Sequence, residues 1–76
     1  MGIWIKSQDK ETLGCYLQIY IDNNITNDIS YKIEGENDST YSVLGCYSSI
    51  ERCKQILNDI EYAIITGKKT FEMPEN

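Results

Sequence analysis

The feature that most constrains this sequence is a single change of hydrophobic period near Tyr47. Before it, apolar and polar residues alternate at a spacing of two, the pattern of half-buried strands. After it, Ile50, Cys53, Ile56, Leu57, Ile60, Ala63 and Ile64 recur at i, i+3 and i+4 along one helical face. Glu51, Lys54, Asn58, Asp59 and Glu61 fall on the other side. One amphipathic helix has one apolar stripe to bury, and a sheet face is what the remaining segments can offer it. The expected fold class is therefore α+β. It is a small, mainly antiparallel sheet in the order β-β-β-β-α-β, with one amphipathic helix packed on one face.

The alternation places strands at residues 2–6, 13–21, 29–34, 40–47 and 70–73. In the first, Ile3 and Ile5 face away from Trp4. In the second, Leu13, Cys15, Leu17, Ile19 and Ile21 share a face, and Tyr16, Gln18 and Tyr20 take the other. The third sets Ile29, Tyr31 and Ile33 against Ser30, Lys32 and Glu34. The fourth sets Tyr41, Val43 and Tyr47 against Leu44 and Cys46, with Gly45 marking a bulge or a close backbone approach. Polar runs at 7–11, 22–24, 26–28 and 35–39 read as loops and turns. Ser48-Ser49-Ile50-Glu51 fits a capping box with Ser48 as N-cap, and Gly67 followed by Lys68 and Lys69 suits the helix C-terminus. The sheet face left uncovered, with its tyrosines and Trp4, is a candidate contact surface.

The 76 residues form a single small domain, 1–76. Burial on folding is on the order of 8,000 Å² in total. Its apolar part contributes about 120 kcal/mol, against roughly 115 kcal/mol of ordering entropy. So thin a margin favours self-association, and it leaves no room for a large active site.

Composition narrows the chemistry further. The absence of His removes His-based triads, proton shuttles and His metal sites. Twelve acidic against seven basic residues give a net charge of −5, and Arg52 is the one arginine. Binding driven by counterion release needs a basic face, so the balance argues against nucleic-acid binding. No apolar run is long enough for a membrane span, and no signal-peptide pattern opens the chain, so the expected location is the cytoplasm. Cys15, Cys46 and Cys53 are odd in number and lack a Cys-x-x-Cys pair. They read as buried, reduced thiols.

Four groups of residues have chemistry worth weighing. Trp4, Lys6, Ser7 and Gln8 could hold a planar ligand by stacking and hydrogen bonding. Equally, Trp4 could pack a sheet edge above a solvated loop. Tyr47, Ser48 and Ser49 lead into a helix N-terminus, with Arg52 one turn on, a setting that attracts anions. The plainer alternative is an ordinary cap. The six tyrosines suit an interface as well as they suit strands. Glu34, Glu36 and Asp38, like Glu72 and Glu75, read as a solvated acidic face rather than a catalytic pair, since paired carboxylates need a cleft.

Residues 3–10, Ile-Trp-Ile-Lys-Ser-Gln-Asp-Lys, resemble the MWIRSQDK or MWIRSQNK opening of small proteins from phages, prophages and integrative elements of Gram-positive bacteria. Residues 44–52, Leu-Gly-Cys-Tyr-Ser-Ser-Ile-Glu-Arg, are similar to the LGxYxSxER junction of that family, and Phe71-Glu72-Met73-Pro74 to its closing MP segment. Gly2 and Ile3 are additional here, and Lys6 replaces the commoner Arg, keeping the charge without the planar fork. The resemblance implies accessory proteins that counter host defences in an infected or lysogenic bacterial host. The expectation is a non-enzymatic, homo-oligomeric protein that sequesters a host immune signalling nucleotide between subunits. Its ligand-binding residues would be Trp4, Lys6, Gln8, Tyr47, Ser48, Ser49 and Arg52, with no catalytic residue, metal or cofactor. The alternative is an inhibitor that binds a host defence protein directly through its acidic, Tyr-rich face.

Overall fold

The computed structural model describes residues 3–22, 31–38 and 40–76. The fold is α+β. Its elements are β1 (Trp4–Lys6), β2 (Leu13–Cys15), β3 (Gln18–Asp22), β4 (Tyr31–Asn37), β5 (Thr40–Tyr47), α1 (Ile50–Ile65) and β6 (Thr70–Glu72). Gly2, residues 23–30 and Ser39, which the alternation assigns to strand ends and turns, lie outside the described residues.

The strands form two three-stranded sheets rather than one. The first has the order β2-β1-β6, with β1 antiparallel to β2 and parallel to β6. The second is the antiparallel sheet β3-β4-β5. The helix α1 packs against β3, β4, β5 and β6, so a single apolar stripe closes both sheets over one core. Ile5, Ile33, Leu44, Cys53, Ile56 and Met73 are the fully buried side chains at its centre. No helix among the described residues is long and apolar enough to cross a membrane.

The extra strand arises because the alternating run 13–21 is broken at Tyr16 and Leu17, where the chain passes from one sheet to the other. Tyr16 turns inward at the break, against expectation. A Cβ on Gly35 would lie 2.6 Å from Tyr16 Cγ, and one on Gly14 would lie 2.7 Å from its hydroxyl. The ring therefore lies across both sheets on two bare backbone positions, a site open only to glycine. Ile19 and Ile21 join Tyr16 against the core, while Leu13 and Leu17 are left exposed.

Two further expectations change in the second sheet. Residues 35–37, read as a turn, continue β4, because Gly35 pairs with both Ile19 and Ser42. In β5 the register jumps from Ile33↔Gly45 to Glu34↔Val43, so Leu44 is the additional residue of a bulge beside Gly45. The bulge lets Leu44 and Tyr47 both face the core and turns Tyr41, Val43 and Cys46 outward. Only Cys53 of the three thiols is buried; Cys15 is half-buried and Cys46 exposed, which corrects the expectation of three buried ones.

The N-cap is Ser49, not Ser48. β5 runs through the buried Tyr47, so Ser48 is spent as an exposed link and the extended backbone needed for a cap falls on Ser49. Its Oγ accepts the Arg52 N–H at 3.1 Å. The other end closes as a Schellman motif: Gly67, at φ 78°, donates to Ile64 O while Lys68 donates to Ala63 O.

Candidate functional site

The Ser7–Lys10 loop is built by its own side chains. Ser7 is buried, its Oγ donates to Asp9 Oδ1 at 2.5 Å, and it accepts the Thr12 N–H at 3.1 Å. Asp9 Oδ1 also accepts the Glu11 N–H at 3.0 Å. These two bonds, from Ser7 first and Glu11 second, hold the Asp9 carboxyl below its usual range. Lys10 takes the left-handed conformation at φ 66°, which lets the short loop return to β2.

Gln8 leaves this loop to lie along the free edge of β5. Its N–H donates to the bulged carbonyl of Leu44 at 2.7 Å. Its side-chain amide then pairs with Cys46 in both directions, accepting the Cys46 N–H at 3.0 Å and donating to the Cys46 carbonyl at 3.1 Å. The same Nε2 donates to Glu75 O at 2.7 Å. The primary amide thus substitutes for a peptide group of a further strand, and it fastens the first sheet to the second.

The residues at the helix start are tied to the same place. Tyr47 is buried, its ring folds over Gly45, and its hydroxyl donates to Pro74 O at 2.7 Å. Burial pushes its hydroxyl pKa up to about 12. Arg52 places Nε and Nη2 on the main-chain oxygen of Asn76 at 3.1 and 2.9 Å, and Nη1 on Gln55. Met73 is buried and donates its N–H to Lys6 O. Residues 7–10, 44–52 and 73–76, far apart in the chain, therefore converge and hydrogen-bond one another.

Among the seven expected ligand-binding residues, Gln8, Tyr47, Ser49 and Arg52 meet around this C-terminal segment, and each is engaged within the chain. Ser48 is exposed beside them. Trp4 and Lys6 stand elsewhere, side by side on the outer face of β1, where Trp4 is half exposed. Among the described residues no group of three or more acidic or thiol side chains is placed to hold a metal ion.

Two surfaces stand out from this arrangement. One is the outer face of β3-β4-β5, opposite α1. The registers stack it in rows: Gln18, Glu36 and Tyr41; Tyr20, Glu34 and Val43; Asp22, Lys32 and Cys46. The Tyr20 hydroxyl bonds Glu34, and that bond first, with burial and neighbouring carboxylates, raises the Tyr20 pKa. Glu34 is buried in the middle of the face, so half-buried Asp22 and exposed Glu36 are its open carboxylates beside exposed Lys32, and Tyr41 and Val43 are exposed with them. The alternation in residues 13–21 was the signal for this face; Asp22, read as the start of a turn, and the length of β4 were the parts it missed. The other surface is an open groove of about 510 Å³ between α1 and the β2–β3 crossover, walled by Leu17, Ile19, Leu57, Ile60 and Ile64 with Glu61 at its edge.

No protein-family model matches the chain, and neither a curated protein nor a solved structure matches it.

Proposed function

We propose that the protein is a non-enzymatic binding protein that docks on another protein through the acidic, tyrosine-bearing outer face of β3-β4-β5. The observation that carries this reading is that face itself. Asp22 and Glu36 stand on it around the buried Glu34, with Lys32, Tyr20, Tyr41 and Val43, and no other described element packs on it. Tyrosines supply contact area at low entropic cost, and a net negative patch steers a partner of opposite charge. The partner is accordingly a protein with a basic surface. In the setting that the family resemblance implies, it is a host defence protein, and binding inhibits it.

Sequestration of a signalling nucleotide is the second reading, and one feature favours it. Trp4 and Lys6 present a stacking ring and a cation on the same outward face of β1. Four of the five other candidates, Gln8, Tyr47, Ser49 and Arg52, are already bonded within the chain, which favours the protein-binding reading. The test is affinity capture from host lysate with the wild-type chain and with Glu36→Lys and Tyr41→Ser. The expected result is a basic protein that the wild type retains, that rising salt releases, and that both variants lose. Equal capture by wild type and variants would contradict the assignment of this face.

A further inference from the structure

The outer face of β3-β4-β5 is not uniform: its uncompensated charge lies at one end. In the row farthest from the β4–β5 turn, Lys32 stands opposite Asp22, and the two charges offset each other. At the turn end the row is Gln18, Glu36 and Tyr41, and Asp38 follows two residues after Glu36. Among the described residues no cation pairs with Glu36 or Asp38. The attraction that the face exerts on a basic partner is therefore concentrated at this end.

The same end is hollow. Leu17, Gln18, Glu36, Asn37 and Asp38 line a shallow depression of about 240 Å³. Small-molecule sites enclose roughly 300–1,000 Å³, so this one suits a single side chain rather than a whole ligand. Leu17 gives it an apolar wall that is 78% exposed. Tyr41, 67% exposed, is the cross-strand partner of Glu36. Such partners hold their Cβ atoms about 4.5–5.5 Å apart on one face, which puts the ring beside the carboxylate.

We propose that this depression is the seat of one arginine side chain of the partner protein. The proposal rests on the docking role of this face and names the side chain on which that role turns. A guanidinium is flat and has five donors in a fixed fork. It takes both oxygens of Glu36 in a bidentate pair, lies against the Tyr41 ring and covers Leu17 with its methylene stem. Asp38 and the amide oxygens of Gln18 and Asn37 are acceptors for its remaining donors. A lysine ammonium is a hydrated point charge without the second arm of the fork. An apolar side chain would cover Glu36 and leave its charge unpaired.

The test is an NMR titration of the full 15N-labelled chain with two probes at equal ionic strength, the peptide Ac-Gly-Arg-Gly-Arg-Gly-NH2 and its lysine counterpart. The arginine peptide should shift the amides of Leu17, Gln18, Glu36 and Tyr41 saturably. It should bind about two- to tenfold tighter than the lysine peptide, the worth of the second hydrogen bond of the fork. Glu36→Gln should remove that preference. Glu51→Gln, which takes the same charge from α1, should keep it. Equal affinity for the two peptides, or a preference that survives Glu36→Gln, would overturn the inference. Either result would leave the capture of a basic protein by this face, and hence its docking role, standing.

Discussion

Replacing Gln8 by Ala removes three hydrogen bonds at once. They are the two that its side-chain amide exchanges with Cys46, at 3.0 and 3.1 Å, and the one it donates to Glu75 O at 2.7 Å. A net hydrogen bond contributes about 0.5–1.5 kcal/mol, and these bonds are exposed to water, so the low end applies and the loss is about 1.5 kcal/mol. No buried-group penalty adds to it, because Cys46 lies on a strand edge where water can replace the amide. In a domain of this size each kcal/mol moves the melting temperature by about 4–8 °C, so the midpoint should fall by about 6–12 °C. The assay is paired thermal and urea unfolding, in which the urea midpoint drops and the slope is unchanged. Gln8→Glu should cost at least as much, since a carboxylate oxygen then faces the carbonyls that Nε2 now joins. A Gln8→Ala melting temperature within about 2 °C of wild type would refute the reasoning. The amide would then not fasten the sheets, and it would be free for a ligand.

Gly35→Ala should destabilise the chain by about 1–3 kcal/mol in urea unfolding, because the new Cβ meets the Tyr16 ring and the ring must leave its place. Removing the ring with Tyr16→Ala should abolish most of that added cost, a coupling that a double-mutant cycle measures directly. Tyr47 binds its proton more tightly folded than unfolded, with a pKa of about 12 against 10.0. Its contribution is therefore complete below pH 10 and declines as pH rises from 10 towards 12. Tyr47→Phe should flatten stability in that window while lowering it by about 1 kcal/mol at neutral pH through the lost bond to Pro74. Iodoacetamide should label exposed Cys46 in the folded chain and reach Cys53 only in denaturant, since Cys53 is buried and burial raises its thiol pKa.

The helix was legible because its stripe and its Gly67 cap are local signals, and the faces of β1, β3 and β4 were legible from alternation. What alternation could not show is a strand changing sheets. The run 13–21 keeps a period of two across the break at Tyr16 and Leu17, and only the contact of Tyr16 with distant Gly35 decides which side faces in. The bulge at Leu44 was signalled by Gly45, but its effect, turning Cys46 out and Tyr47 in, depends on the β4 register. The site followed the same division. Gln8, Tyr47 and Arg52 are residue types that suit ligands, and nothing near them in sequence reveals that Cys46, Pro74 and Asn76 are their partners. The acidic face was visible as composition; its rows needed the pairing of β3, β4 and β5.

The central claim is that this chain acts by contacting proteins rather than by holding a small nucleotide. Native mass spectrometry of the freshly purified full chain tests it most directly, since one spectrum reports the copy number and any retained small molecule. The account predicts chains of 8.8 kDa with no added mass. A mass increment matching a nucleotide, released on denaturation, would contradict it.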